Sequence, residues 1–118
     1  MAIRKVANAY YVVRDMDRSA RFYRDVLGLE VKFADPGKWT QFDVAGTQIA
    51  IATPAPGQPD PGENATVVLE VDDLDAMQQR LRDEGMTPSE VIAMGSHGSF
   101  FTVRDPDGNL VQFFARAG

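Results

Sequence analysis

The chain has no cysteine, which excludes disulfide bonds, thiolate nucleophiles and thiolate metal ligands. It has a single histidine, so imidazole chemistry, as a general base or a metal ligand, is limited to one side chain. No apolar run approaches the roughly 20 residues that a membrane-spanning helix needs. The first five residues, MAIRK, do not form the apolar segment of a secretory signal. From these absences we expect a cytoplasmic protein with no membrane partner.

Positive charge is also scarce, and the charges are unevenly distributed. The net charge is −5. Residues 1–59 contain 8 basic and 6 acidic side chains, whereas residues 60–118 contain 4 and 11. An acidic half without a basic stripe repels a phosphate backbone, so nucleic acid is not expected as a partner. A neutral or cationic small molecule would be favoured electrostatically.

The sequence does contain an internal repeat. Residues 8–17 (NAYYVVRDMD) align without gaps on residues 66–75 (TVVLEVDDLD) at an offset of 58 positions. Each segment is an apolar, β-branched or aromatic stretch that leads into an acidic Asp-x-Asp sequence. Such a stretch predicts a strand followed by the start of a helix. The repeat therefore predicts two copies of one structural module.

Each copy continues with a helix and three further strands. Asp17 and Asp75 are the predicted N-caps, and Gly28 and Gly85 are the predicted helix ends. The later strands are predicted at 29–33, 39–44, 47–53, 89–94, 99–104 and 110–115. The fold class is therefore α+β, with two tandem βαβββ modules.

The predicted domain organisation is a single domain over residues 1–118. Module 1 covers residues 1–53 and module 2 covers residues 64–118. A proline-rich linker over residues 54–63 joins them, because four prolines and two glycines in and beside this stretch favour a semi-rigid connection.

Two longer passages carry a resemblance to a known family. Residues 12–31 (VVRDMDRSARFYRDVLGLEV) and 101–111 (FTVRDPDGNLV) are similar to the vicinal oxygen chelate superfamily. This superfamily includes glyoxalase I, the extradiol dioxygenases and the bleomycin-resistance proteins. The resemblance implies that the strands of the two modules form a curved mixed sheet around a central crevice.

Metal-dependent members of this family bind a divalent metal through four His, Gln or Glu side chains in the crevice. The corresponding positions here are Asn8, Ala50, Thr66 and Gln112. None is a carboxylate or an imidazole, and divalent metals in proteins are normally held by such ligands. We therefore expect no metal and no cofactor.

Strand alternation and the resemblance together predict the crevice lining. Trp39 is either a core aromatic or a stacking wall for a planar ligand. Phe100 and Phe101 are adjacent, so at most one of them lines the crevice. The predicted lining is mostly neutral, as in other small-molecule sites. It consists of Asn8, Tyr10, Trp39, Ala50, Thr66, Val68, Glu70, Phe101, Gln112 and Phe114.

Catalytic residues are not defined by any motif, and His97 and Glu70 are the candidates. His97 lies in the glycine-containing loop 94–99. As a general base it would need an orienting carboxylate, for which Glu70 or Asp43 are the available residues. The three acidic or amide residues Asp105, Asp107 and Asn109 resemble a calcium loop, but their hairpin setting favours a turn.

Three functions remain open from the sequence. The first is a metal-free protein that binds a drug-like or aromatic molecule, as the bleomycin-resistance branch does. The second is a lyase, isomerase or dioxygenase-type enzyme of the same superfamily. The third is a protein-association domain with a vestigial crevice. In each case we expect a homodimer, because two small open sheets leave edges that are difficult to cover within one chain.

Overall fold

A computed structural model describes residues 4–62 and 65–117 of the chain. The chain divides into two compact units, residues 1–64 and 65–118. Each unit contains one four-stranded mixed sheet. This confirms the α+β class and the two tandem modules. Among the described residues, no helix has the length and apolar character needed to cross a membrane.

The first unit contains four strands and one helix that continues into a π-helical segment. The strand order is β1-β4-β3-β2, with β1 parallel to β4 and the other neighbours antiparallel. The elements are β1 (Ala9–Val12), α1 (Met16–Ala20), the π-helical segment (Arg21–Val26), β2 (Glu30–Asp35), β3 (Trp39–Val44) and β4 (Thr47–Ala52).

The second unit repeats this topology. Its strand order is β5-β8-β7-β6, and β5 is parallel to β8. A 3₁₀ turn stands between β6 and β7. The elements are β5 (Val67–Glu70), α2 (Leu74–Asp83), β6 (Ile92–Ala93), the 3₁₀ turn (Gly95–His97), β7 (Ser99–Arg104) and β8 (Leu110–Ala115).

The N-caps of both helices lie two residues earlier than the sequence analysis predicted. Asp15 and Asp73 have extended backbones, and their carboxylates accept hydrogen bonds from the amides of Arg18 and Ala76. An N-cap side chain must reach the free amides of the first turn from outside the helix. Asp17 and Asp75 are already inside that turn, where their charge complements the helix dipole.

Both helices end at the predicted glycines, but the first helix contains one additional residue. Gly28 and Gly85 adopt positive φ angles of 77° and 80°. The distance along the chain from Asp15 to Gly28 is one residue longer than that from Asp73 to Gly85. The π-helical segment accommodates this residue, since the amide of Leu27 bonds to the carbonyl five positions earlier.

Each sheet has one face packed against its helix, and these faces form the two cores. In the first unit the ring of Tyr23 lies 5.9 Å from that of Tyr11 and 6.0 Å from that of Phe42. In the second unit Phe101 and Phe113 stack at 5.1 Å. All five rings are almost completely buried. Burial of such aromatic area is the main favourable contribution to folding in a small domain.

The predicted strand 89–94 forms only two residues of regular ladder, and Ser89 explains the difference. Its hydroxyl oxygen accepts from the amide of Thr102 at 2.9 Å, while its own amide donates to the Thr102 carbonyl at 2.8 Å. The side chain thus takes the position of a backbone acceptor. Strand pairing with β7 becomes regular only at Ile92.

Asp105 organises the turn between β7 and β8. Its Oδ1 accepts from the amides of Asp107 and Asn109, and its Oδ2 accepts from the Asn109 side chain at 2.9 Å. All three side chains are buried. Buried polar groups are normally satisfied in this way. The local bonding supports the predicted turn.

Candidate ligand-binding face of the first sheet

The face of the first sheet opposite its helix carries the candidate site. Residues paired across a ladder point to the same side of a sheet, so the observed register defines this face. Trp39 pairs with Ala52, Gln41 with Ala50, and Asp43 with Gln48. We call this surface the open face. Its residues are Tyr10, Val12, Glu30, Phe33, Asp35, Trp39, Gln41, Asp43, Gln48, Ala50 and Ala52.

Trp39 and Tyr10 form an aromatic pair on the open face. Their ring centroids are 5.4 Å apart with the planes tilted by 48°. Trp39 belongs to β3 and Tyr10 to β1, and β4 lies between these strands. The rings can meet because the intervening positions are the small residues Ala50 and Ala52, both 1% exposed. Trp39 itself is half-buried, so part of its ring remains accessible.

A chain of side-chain hydrogen bonds fixes the indole edge of Trp39. Its Nε1–H donates to Gln41 Oε1 at 3.1 Å, and Gln41 Nε2 donates to Gln48 Oε1 at 3.2 Å. Gln48 Nε2 then donates to the carboxylate of Asp43. The two ends determine the direction of the chain, because an indole can only donate and an ionised carboxylate can only accept.

This chain makes the open face a preorganised surface. Gln41 is 9% exposed, so an alternative partner for its amide would have to be found within the protein. The bond to Gln41 restricts the orientation of the half-buried indole ring. A rigid ring loses little conformational entropy when a planar molecule stacks on it. The arrangement therefore suits the binding of an aromatic ligand.

A pocket of about 460 Å³ adjoins Trp39 at the end of β4. The start of segment 53–58 is held in place because Thr53 Oγ1 donates to the carbonyl of Gly37 at 2.8 Å. A turn closed by the Gln58 amide and the Ala55 carbonyl follows. The residues that line the pocket include Lys38, Trp39, Ala52, Pro54, Ala55 and Gln58.

Of the other positions predicted in the first unit, Asn8 directly precedes β1 and is half-buried. Ala50 lies opposite Tyr10 in the parallel ladder. In the second unit the equivalent ladder places Gln112 opposite Val68. Thr66 directly precedes β5 and is exposed. Ala50 and Gln112 therefore occupy equivalent positions in the two parallel ladders, as the repeat predicts.

The second sheet has its own face opposite α2, and it carries most of the crevice residues predicted there. Val68, Glu70, Gln112 and Phe114 share this face by ladder register. Val68 is 53% exposed. Phe100 pairs with Phe114 and therefore lies on the same side.

Phe101 is a correction to the predicted lining. It is fully buried and stacks on Phe113, on the face that packs against α2. The prediction that Phe100 and Phe101 point to opposite faces was correct, but the wrong one was assigned to the crevice. The register with β8 decides this assignment, and the sequence alone does not reveal it.

Within the described part of the second unit, no hydrogen bond joins His97 to Glu70. Both carboxylates proposed to orient His97 are bonded to other groups in the described part of the chain. Arg116 Nε donates to the two oxygens of Glu70 at 3.2 and 3.3 Å, and Asp43 accepts from Gln48. His97 is exposed in the 3₁₀ turn. Among the described residues, no side-chain hydrogen bond orients His97.

The donor atoms at the four family metal positions do not fit a divalent metal. Ala50 has no donor atom, and Asn8, Thr66 and Gln112 carry only neutral amide or hydroxyl groups. Neutral oxygens without a charged companion are poor ligands for such ions. Within residues 4–62 and 65–117, no three His, Cys, Asp or Glu side chains are grouped as a metal site.

The sequence analysis missed the hydrogen-bonded chain that holds Trp39. Gln41 was not considered, and Asp43 was named only as a partner for His97. The alternation along β3 contained the available signal, because Trp39, Gln41 and Asp43 are separated by two residues each and so share a face. The contribution of Gln48 requires the register between β3 and β4.

Comparison with known proteins identifies close structural relatives. The family model described as Glyoxalase/Bleomycin resistance protein/Dioxygenase superfamily matches residues 5–113. Among curated protein sequences, none matches this chain.

Similar solved structures include two antibiotic-binding proteins. TnmS3, an antibiotic binding protein from Streptomyces sp. CB03234, is 26% identical with a TM-score of 0.81, and the match covers 99% of both chains. The bleomycin-binding protein of Streptomyces verticillus, complexed with copper(II)-bleomycin, is 24% identical with a TM-score of 0.72, covering 99% of this chain and 100% of that one.

A third similar structure is an enzyme. The lactoylglutathione lyase of Agrobacterium tumefaciens is 22% identical with a TM-score of 0.78, and the match covers 97% of this chain and 95% of the lyase. At this level of identity the likeness concerns the fold, and a fold is compatible with several functions.

Proposed function

We propose a binding function for this chain, which belongs to the Glyoxalase/Bleomycin resistance protein/Dioxygenase superfamily. It binds a planar, drug-like or aromatic small molecule without a metal. The ligand stacks on the accessible part of Trp39. The likeness to TnmS3 along the whole chain supports a binding function of this kind.

The observation that carries this proposal is the fixed aromatic pair on the open face. Trp39 contacts Tyr10, and its indole N–H is bonded to the buried Gln41. A half-buried tryptophan held in this way combines a large apolar surface with a defined orientation. Such residues contribute a large share of binding energy in protein recognition sites.

Ligand binding requires no metal, because the four family metal positions, Asn8, Ala50, Thr66 and Gln112, offer no charged metal ligand. Elemental analysis of the purified protein should therefore find no stoichiometric nickel, zinc or iron. About one metal ion per chain, retained after dialysis against a chelator-free buffer, would contradict this part of the proposal.

The enzymatic alternative has less support. Glu70 is bonded to Arg116, and His97 is exposed, so no acid–base pair is assembled among these candidates. The lyase of Agrobacterium tumefaciens shares the fold at 22% identity, which does not extend its activity to this chain.

The central experiment compares Trp39→Ala with the wild type. Trp39 is the only tryptophan, so its fluorescence reports on the site directly. A panel of glycopeptide and aromatic polycyclic antibiotics is titrated into the wild type by fluorescence, and the best ligand is then measured with both proteins by calorimetry. We expect Trp39→Ala to weaken binding by roughly tenfold, since stacking contributes about 0.5–1.5 kcal/mol beyond the burial of area.

Two further variants distinguish a site residue from a core residue. Phe42→Ala removes a fully buried ring of the same sheet and should lose about 3–5 kcal/mol of stability. Trp39→Ala should lose clearly less, because its ring is half-buried. Val6→Ala, at an 82% exposed position, should change neither binding nor stability. Unchanged Trp39 fluorescence with every compound, together with a stability loss equal to that of Phe42→Ala, would assign Trp39 to the core.

We also propose that the protein is a homodimer. Exposed apolar side chains in and beside β6, an edge strand of the second sheet, support this.

A further inference from the structure

The pocket beside Trp39 contains an unsatisfied acceptor. Gln58 Oε1 is the only buried side-chain polar atom without a hydrogen-bond partner in the described part of the chain. Gln58 is one of the residues that line the pocket. Its backbone is anchored, because its amide donates to the Ala55 carbonyl at 3.2 Å. A buried acceptor without a donor is unfavourable and needs a specific explanation.

The neighbouring groups do not supply the missing donor. The indole N–H of Trp39 is already donated to Gln41, and the hydroxyl of Thr53 is donated to the Gly37 carbonyl. Lys38 also lines the pocket, but it is exposed, so its ammonium group is solvated. None of these groups donates to Gln58 Oε1, so a molecule that enters the pocket can supply the donor.

The walls of the pocket define the rest of that molecule. Trp39 contributes part of an aromatic side chain, and Ala52, Pro54 and Ala55 contribute apolar surface. The volume of about 460 Å³ lies within the range of small-molecule sites. A flat ring fits such walls, and a hydrogen-bond donor at the edge of the ring would satisfy Gln58 Oε1.

We propose that this pocket recognises a hydrogen-bond donor on a planar ring, with Gln58 Oε1 as the acceptor and Trp39 as the stacking surface. The ligand class is a planar heteroaromatic or phenolic group that carries an N–H or O–H at its edge. This inference rests on the proposed function and specifies which planar ligands the site prefers. In the bound state the Gln58 side chain turns its oxygen toward the donor of the ring.

The test uses two probes of the same shape. Indole carries a ring N–H, and benzofuran has an oxygen in its place. Each is titrated into ¹⁵N-labelled protein while the Trp39 Nε1–H resonance is followed by NMR. We expect indole to bind the wild type about five-fold more tightly than benzofuran, which is the effect of one typical net hydrogen bond.

Gln58→Met removes the acceptor and keeps the length of the side chain. In this variant the preference for indole should disappear, while the affinity for benzofuran stays the same. Gln79→Met is the matched control, because Gln79 is an exposed glutamine of α2 whose amide donates to Asp83. The control should keep the five-fold preference.

The ligand-free variant gives an independent readout. Replacing an unsatisfied buried polar group by an apolar one is neutral or stabilising, so Gln58→Met should keep or raise the melting temperature. A clear fall would show that the oxygen has a partner in the protein and would overturn the inference.

The binding outcomes separate this inference from the proposed function. Equal affinities for indole and benzofuran in the wild type, or a preference that survives in Gln58→Met, would overturn the role of Gln58 and leave stacking on Trp39 intact. Failure of both probes to shift the Trp39 resonance would overturn the proposed function and this inference together.

Discussion

At the scale of single residues, two glycines in the loop before β7 allow the effect of backbone strain to be compared with that of a steric clash. Gly95 and Gly98 have positive φ angles of 59° and 98°. A Cβ atom at Gly95 would meet nothing within 4 Å, whereas one at Gly98 would lie 2.2 Å from the Ala115 carbonyl oxygen. Gly98 also has a ψ of −155°, in a region of backbone space that is essentially restricted to glycine.

We predict that Gly98→Ala is far more destabilising than Gly95→Ala. The Gly95 variant should lose about 1 kcal/mol, the usual effect of a left-handed alanine. The Gly98 variant adds a backbone clash in β8 and should lose more than about 3 kcal/mol. Urea unfolding followed by circular dichroism measures both values. Similar losses for the two variants would mean that the close approach to Ala115 is not present in solution.

At the scale of secondary-structure elements, the β3–β4 hairpin contains an unfavourable residue. Its two-residue turn has Ala45 at a φ of 50° and Gly46 at 89°, as in a type I′ turn. Asparagine tolerates the first position better than alanine does, because its short polar side chain stabilises the left-handed conformation.

Ala45→Asn should therefore stabilise the protein by about 0.5–1 kcal/mol, and Gly46→Ala should destabilise it by about 1 kcal/mol. The two substitutions affect adjacent residues of one turn, so opposite signs in thermal unfolding would confirm its type. A loss of stability in Ala45→Asn would indicate a different turn conformation.

The sequence predicted most elements because repeated apolar stretches, glycines and turn residues act locally. The bounds of β3, β7 and β8 agree with the predicted ranges. The N-caps were displaced because both aspartates of the Asp-x-Asp pattern suit the role, and only the end of the preceding strand selects Asp15. The shortness of β6 depends on a hydrogen bond from the Thr102 amide to the Ser89 hydroxyl oxygen, which no periodicity reveals.

The candidate site was less predictable because it depends on register. Tyr10 and Ala50 were assigned to one surface from alternation, and Trp39 was considered as a core aromatic or a stacking wall. The ladders place all three on one face of the sheet. The hydrogen bond from Gln41 to Gln48 joins β3 to β4, so predicting it would have required the register between these two strands. The unsatisfied oxygen of Gln58 lies in the segment predicted as a linker, where composition contains no information about burial.

At the scale of the whole molecule, the exposed apolar surface of the second unit predicts self-association. Val91, Ile92 and Met94 are 39%, 48% and 36% exposed, and they lie in and beside the edge strand β6. An edge strand with unpaired backbone groups and apolar neighbours favours pairing with another chain. A second copy of the same chain is the commonest partner in such cases, usually with twofold symmetry.

Light scattering at micromolar concentration should therefore give about twice the chain mass of 13.0 kDa. The double variant Val91→Lys with Ile92→Lys places two charges at the edge strand and should shift the protein to the monomer, because a buried unpaired charge is strongly unfavourable at an interface. Val6→Lys is the control, since Val6 is 82% exposed in the other unit and should leave the dimer intact. A monomeric wild type would contradict the dimer. A dimer that survives the double variant would place the interface at another surface. The first to be tested is the edge strand β2, all of whose residues are exposed.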